Sequence, residues 1–332
     1  MSARSFDVLT IGNAIVDILC RTDDAFIKTQ GLVKGSMTLI DEARADSLYD
    51  QMGPSIESSG GSAGNTAAGL ADLGATVAYI GKVADDALGK VFMHDIRATG
   101  AAFDTPPLED SLSTARSMVL ISPDGERTMN TWLGACTQLG PDDIIPEIVN
   151  HAAITYVEGY LWDEPNAKAA IKKAIDLAHQ AGKKFSLSLS DSFCVDRHRA
   201  DFLNLLEGSV DILFANEQEI CNLYQVESFS DAVERVREKV GIVALTRGAA
   251  GAVAATPEEV VSVPAASVEH VADTTGAGDL YASGFLFGLV RGKPLAECAL
   301  LGGLCASECI SHIGPRPQTN LAALVKEHMG SV

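Results

Sequence analysis

The segment Asp273-Thr274-Thr275-Gly276-Ala277-Gly278-Asp279, running straight into the apolar stretch Leu280–Val290 (LYASGFLFGLV), decides the fold. A glycine-rich turn that opens a helix leaves backbone N–H groups unpaired at the positive end of the helix dipole, ready to hold an anion. Gly276 and Gly278 allow close backbone approach, with Ala277 between them. Asp279 then stands in the first helical turn, where a carboxylate can take the proton of an attacking hydroxyl. A lone GxGD is common as a simple capped loop. Four further segments set this one apart.

Gly60-Gly61-Ser62-Ala63-Gly64-Asn65 opens the run NTAAGLADLG, and the Asn65 amide can both donate to and accept from hydroxyls. Gly12-Asn13-Ala14-Ile15-Val16-Asp17 follows the apolar run Phe6–Ile11. Ligands of open α/β sheets bind beyond the carboxyl ends of strands, so Asn13 and Asp17 are candidates to hold sugar hydroxyls. This segment lacks the second and third glycines of GxGxxG, which argues against a dinucleotide fold. Asn216-Glu217-Gln218-Glu219 follows the strand-like ILFA. Hydrated Mg²⁺ needs only one or two carboxylates, and Glu219, supported by Asn216, is the candidate. Thr246-Arg247-Gly248-Ala249-Ala250-Gly251 follows IVALT; Thr246, Gly248 and Gly251 form a plausible cradle for nucleotide phosphates. A Walker GxxxxGK[ST] loop and an HExxH helix are both missing from the sequence.

The bulk composition agrees with an enzyme of small molecules. The 332 residues include 25 Lys+Arg against 44 Asp+Glu, a net charge of −19. Such a chain is a poor partner for nucleic acid or an anionic membrane, so any phosphate site must be built locally. The start MSARSFDVLTIG does not read as a signal peptide, and no run of about 18 apolar residues reads as a membrane span. Seven scattered cysteines suggest reduced thiols and a cytoplasmic location. Cys305 and Cys309, with His312 nearby, read as small buried residues of an Ala/Gly-rich helix rather than as metal ligands.

Apolar runs predict strands at Phe6–Ile11, Val77–Ile80, Ala153–Val157, Lys184–Leu189, Ile212–Ala215, Ile242–Thr246 and Ala252–Ala255. Helical patterns fall between them, at Ala63–Leu73, Gly89–Ala98, Pro165–Ala181, Arg199–Leu206, Ser230–Lys239, Gly276–Arg291 and Leu295–His312. That alternation predicts an α/β fold, a doubly wound and mostly parallel sheet flanked by helices. Residues 16–40 and 104–134 carry short β-like runs without helices, including a hairpin around Ser122–Gly125. They predict a small β lid over the acceptor site, on a core of residues 1–15, 41–103 and 135–332.

Together the five segments resemble the ribokinase-like (PfkB) carbohydrate and nucleoside kinases, in that family's order along the chain. The resemblance implies ATP as phosphoryl donor with Mg²⁺. It makes Asp279 the catalytic base and Gly276, Ala277 and Gly278 the anion hole. Asn216 and Glu219 become the metal and phosphate motif, and Asn13, Asp17, Gly60, Gly61 and Asn65 the acceptor contacts. Relatives also hold a monovalent cation, K⁺, near Asp273, Thr275 and the loop around Gly314, and include both monomers and homodimers. Within the family, GNAIVDI, TYVEGYLW and ERTMNTWLGA are most similar to adenosine kinases. That likeness implies an adenine pocket lined by Met129, Leu133 and Leu161. Leu161 replaces an aromatic there, leaving Trp132, Tyr160 and Trp162 as stacking candidates. Arg127 would approach the phosphates. The expected reaction is transfer of the ATP γ-phosphoryl group to the 5′-hydroxyl of adenosine. Fructose or ribose, inosine or guanosine, and a non-catalytic nucleoside-binding role are the competing readings.

Overall fold

The computed structural model describes residues 5–109 and 112–330. Its strands, in chain order, begin with β1 (Phe6–Ile11), β2 (Ile15–Arg21), β3 (Met37–Leu39), β4 (Ser55–Ser59) and β5 (Val77–Ile80). Next come β6 (Ala102–Phe103), β7 (Ala115–Ile121), β8 (Arg127–Trp132), β9 (Ala152–Glu158) and β10 (Lys184–Ser188). β11 (Ile212–Asn216), β12 (Ile242–Thr246), β13 (Ala252–Ala255) and β14 (Val260–Val263) complete the series. The helices are α1 (Asp24–Thr29), α2 (Glu42–Tyr49), α3 (Ser62–Asp72), α4 (Ala87–Ala98), α5 (Pro146–Asn150) and α6 (Pro165–Gln180). They continue as α7 (Ser192–Leu206), α8 (Glu217–Tyr224), α9 (Phe229–Arg237), α10 (Ala277–Val290), α11 (Leu295–Ile310) and α12 (Leu321–Met329).

Nine strands form the main sheet in the order β14-β13-β12-β11-β10-β9-β1-β5-β6. From β12 to β6 the pairs are parallel, and β13 and β14 are antiparallel additions at one edge. Strand alternation sends side chains to two separate cores. Val8, Tyr79, Tyr156 and Phe214 pack on the α3/α10/α11 side. Leu9, Ile80, Val157 and Leu213 pack on the α6–α9 side. The strand order reverses between β1 and β9, the switch point at which such sheets open a crevice.

α10 is buried over Leu280–Gly288, all around its girth, because it lies between the sheet, α3 and α11. A Cβ placed on Gly284 would stand 2.4 Å from the Leu301 carbonyl, so bare glycine sets that helix spacing. Cys305 and Cys309 are indeed buried on α11.

The second sheet has the order β3-β8-β7-β2-β4. It takes in the two predicted excursions and also β4, which the 41–103 boundary had assigned to the core. β4 reads SIESS, with Ile56 its only large apolar residue, so no alternation marked it as a strand. The 16–40 stretch also holds a helix, α1, capped by the Asp23 side chain on the Phe26 N–H. The helix expected from Arg199 starts earlier, at Ser192, capped by Asp191 and broken at His198.

Candidate active site

Glu158 closes β9 at the switch point and is 1% exposed. Its carboxylate accepts the Asn13 N–H at 2.9 Å and the Ala63 N–H at 2.8 Å. It therefore ties the turn after β1 to the N-terminus of α3. Burial pushes its pKa up to about 7; the two N–H groups oppose that, and the Asp279 charge adds to it.

The paired glycines pack against the same turn. A Cβ on Gly60 would lie 2.4 Å from Asp17 Oδ2, so the absent side chain is what leaves room for the carboxylate. Gly61 has φ +81°, and a Cβ there would meet the Asn13 carbonyl at 2.2 Å. Asp279 accepts hydrogen bonds from Ser62 Oγ at 2.7 Å and Asn65 Nδ2 at 2.9 Å. Ser283 Oγ bridges the Asp279 and Thr66 carbonyls at 2.8 and 3.0 Å, which fixes α10 to α3. Enclosure raises the Asp279 pKa to about 6, against the Ser62 and Asn65 bonds and the Arg316 charge, with Asp17 adding to the rise. Asp17 is likewise pushed up to about 6 by enclosure, with Arg316 and Arg127 opposing. The two buried carboxyls are near enough for the Asp17 charge to act on Asp279, and both are less acidic than a free aspartate.

At the head of α10, Gly276 takes φ +79°. The Ala277 N–H turns back onto the Thr274 carbonyl at 3.2 Å. Gly278 and Asp279 carry the first-turn N–H groups that remain for an anion, and the space beside the Gly278 Cα is open for 4 Å. Asp273 braces this loop, accepting from the Thr275 N–H and the Gly314 N–H, each at 3.0 Å. Arg127 Nε lies 2.8 Å from Asp273 Oδ2, with both side chains 6% exposed, and so joins the small sheet to the glycine-rich loop. The Thr275 and Gly314 carbonyls both face Cys309 Sγ, at 3.3 and 3.8 Å.

On the far side of Gly278 a cavity of about 160 Å³ is lined by Thr246, Gly248, Gly251, Ala277, Gly278 and Ser307, among others. The fifth and first segments therefore meet. Asn216 caps α8 by accepting the Glu219 N–H, and Glu219 accepts the Asn216 N–H at 3.0 Å and its Nδ2 at 2.5 Å. Burial, helped by the Asp191 charge, raises Glu219 to about 7 against those bonds. With both oxygens engaged by Asn216, the pair fits a hydrated Mg²⁺ held through water better than a directly ligated ion.

Register defines the face of the small sheet that carries Asp17. Asp17 pairs with Ser58 and Ser117, Ser117 with Thr131, and Thr131 with Leu39. Two residues further along, Leu19 pairs with Ile56 and Val119, Val119 with Met129, and Met129 with Met37. A mostly polar row, with exposed Leu39 at its end, and an apolar row thus share one face. Ile56 and Met37 on the apolar row are 72% and 49% exposed.

Some expected residues lie elsewhere. Leu161 is 2% exposed within the α6–α9 core and does not line this face. Trp132 pairs with Arg116, hence on the opposite face, and donates to Ser113 Oγ at 3.0 Å. Trp162 is buried with its N–H on Asp201 at 2.7 Å, and Tyr160 is held near the Ser190 backbone. Leu133, half-buried, follows β8 directly. Ser62, Glu158 and Arg316 belong to the site and were not anticipated. Glu158 had a usable signal, since it follows a predicted strand at the carboxyl end just as Asn13 does.

Residues 41–321 match the model of the pfkB family of carbohydrate kinases. The chain belongs to that family. It is 53% identical to the adenosine kinase structure from Sinorhizobium meliloti, which covers 98% of this chain and 99% of that one at a TM-score of 0.91. It is 52% identical to a probable sugar kinase protein from Rhizobium etli, with 97% and 98% covered and a TM-score of 0.91. Among curated proteins, adenosine kinase of Saccharomyces cerevisiae is 25% identical over 331 residues, 93% of this chain and 96% of that one. As a member of the pfkB family, this protein is a phosphotransferase with a hydroxyl group as acceptor. Among the described residues no helix is long and apolar enough to cross a membrane.

Proposed function

We propose that this kinase transfers the γ-phosphoryl group of ATP to the 5′-hydroxyl of adenosine, giving AMP and ADP. The observation that carries the reading is the pair of rows on the small sheet. Asp17 offers carboxylate oxygens for ribose hydroxyls beside the buried hydroxyl pair of Ser117 and Thr131, and Leu19, Val119, Met129, Met37 and Ile56 offer a flat apolar wall next to them. A bare sugar has no use for such a wall, since its hydroxyls need polar partners. Similarity to the S. meliloti adenosine kinase points the same way.

In this reading Asp17 holds sugar hydroxyls and orients the 5′-oxygen toward Asp279. Asp279 takes its proton as the oxygen attacks phosphorus in line, a service worth ~10²–10⁴-fold. The Gly278 and Asp279 N–H groups at the head of α10 receive charge on the transferring group. Mg²⁺, held with ATP on the Asn216/Glu219 side, would supply further charge neutralisation. Arg127, anchored on Asp273, closes the small sheet over the pocket and limits access of water. The Thr275 and Gly314 carbonyls, which face the same point beside Cys309, would be donors for a K⁺ ion. Seven free thiols, six of them buried, suit the cytoplasm.

A sugar kinase is the second reading, favoured by the R. etli relative and by the polar row itself. Coupled ADP release with Mg-ATP, tested on adenosine, inosine, guanosine, ribose and fructose, separates the two. Turnover on adenosine alone supports the proposal; turnover on a sugar alone keeps the mechanism and removes the base pocket.

A further inference from the structure

Arg316 lies outside all five sequence segments, yet its stretch of chain links two of them. The Gly314 N–H is on Asp273, and Pro315 packs on Gly276 so closely that a Cβ there would stand 2.6 Å from the proline Cβ. Arg316 Nη2 then donates to the Ser59 carbonyl at 2.8 Å and to Ser59 Oγ at 3.1 Å, directly before Gly60-Gly61. The same nitrogen would lie 3.6 Å from a Cβ on Gly64, in the first turn of α3. Ser59 in turn donates its N–H to Asp95 at 2.7 Å. The guanidinium therefore sits under the acceptor pocket, in electrostatic reach of Asp95 on α4, Asp17 on β2, Tyr79 on β5 and Asp279 on α10. Glu158 on β9 faces Asp279, and Arg127 on β8 faces Asp17.

Nε and Nη1 make no hydrogen bond, and Arg316 closes no ion pair with a carboxylate among the described residues. One enclosed cation is shared by three aspartates and paired with none. A direct pair would occupy an oxygen of Asp279, whose carboxylate already receives Ser62 and Asn65. A cation at a short remove supplies the field and leaves the oxygens accessible. We propose that Arg316 is a positioning residue that keeps Asp17 and Asp279 charged at the same time, so that one holds the acceptor while the other takes its proton. This rests on the reading of Asp279 as the base.

The test is the pH profile of kcat/KM with Mg-ATP and adenosine for the wild type, Arg316→Gln and Arg316→Lys, with thermal unfolding of each followed alongside. In Arg316→Gln the acid limb should move up by about 1–2 pH units, the effect of one nearby unit charge in a partly polar interior. Above that limb its activity should return to within about threefold of wild type, because the base is ionised there. Arg316→Lys should keep the limb within about half a unit, since the charge is retained. Equal loss at every pH would overturn the proposal, because it is what direct contact with the phosphoryl group or a purely structural role would give. If Arg316→Gln does not fold, a Lys limb displaced by a full unit overturns it, and an unmoved one upholds it. Failure of the wild type on every acceptor would instead strike the proposed reaction itself.

Discussion

Asp279→Asn offers the sharpest separation of chemistry from stability in this molecule. The carboxyl pKa rises from 3.8 to about 6 on folding. A folded pKa raised by roughly two units means that holding the charged form costs about 3 kcal/mol at neutral pH. That cost is absent below about pH 4, where the group is protonated both folded and unfolded, and is complete above about pH 6. Asparagine removes the charge and keeps the shape. It retains one acceptor oxygen for Ser62 or Asn65 and sets its own amide against the other donor, a loss of about 1–3 kcal/mol. The two effects nearly cancel at pH 7.5, so thermal unfolding should place the variant within a few degrees of wild type or above it. At pH 4.5 the refund shrinks and the variant should fall below. Over the same comparison kcat should drop by ~10²–10⁴-fold. Differential scanning fluorimetry at both pH values and initial rates of ADP release supply the numbers. A kcat within about tenfold of wild type would refute the base assignment. A large loss of Tm at pH 7.5 would refute the claim that the ionised carboxyl is held at a cost.

Glu158→Gln should raise the adenosine KM at least tenfold with a smaller change in kcat, because the amide can satisfy only one of the Asn13 and Ala63 N–H groups; an unchanged KM speaks against that role. Gly60→Ala would place a methyl group 2.4 Å from Asp17 Oδ2, and kcat/KM should fall by about 10² or more as Asp17 is displaced, measured against a retained Tm. Glu219→Gln should shift the Mg²⁺ concentration for half-maximal rate upward by several-fold while leaving the adenosine KM in place, and EDTA should abolish turnover in both proteins.

The core was largely readable in advance because its signal is local. β1, β5, β12 and β13 are predominantly apolar runs, and their limits coincide with the expected ones. β4 carries no such signal; its strand state comes from pairing with β2, a tertiary cause. The site divides in the same way. Asn65 and Asp279 sit in glycine-rich turns that announce a close approach, and Asp17 follows the turn at the carboxyl end of β1. Glu158 and Arg316 are single charged residues whose partners lie 145 and 257 positions away; Glu158 is marked only by its place at the end of a strand, and nothing near Arg316 in sequence marks its connection. Trp132, one of three stacking candidates, is placed by a third cause: register in β8 puts Met129 on the Asp17 side and Trp132 behind it.

The α3–α10 junction has a consequence for the order in which the chain leaves the ribosome. Ser62 and Asn65 meet Asp279 across 217 and 214 residues, and Gly69 packs on Leu280 and Ser283. Until the chain has been made past Val290, α3 has no partner for the side that α10 will cover. Each nascent chain must therefore carry an uncovered apolar stripe while the intervening 200 or so residues are made, at the stage when chaperones meet it and aggregation competes. The kinase gains its base and closes its core in the same late event, so a truncated product has neither.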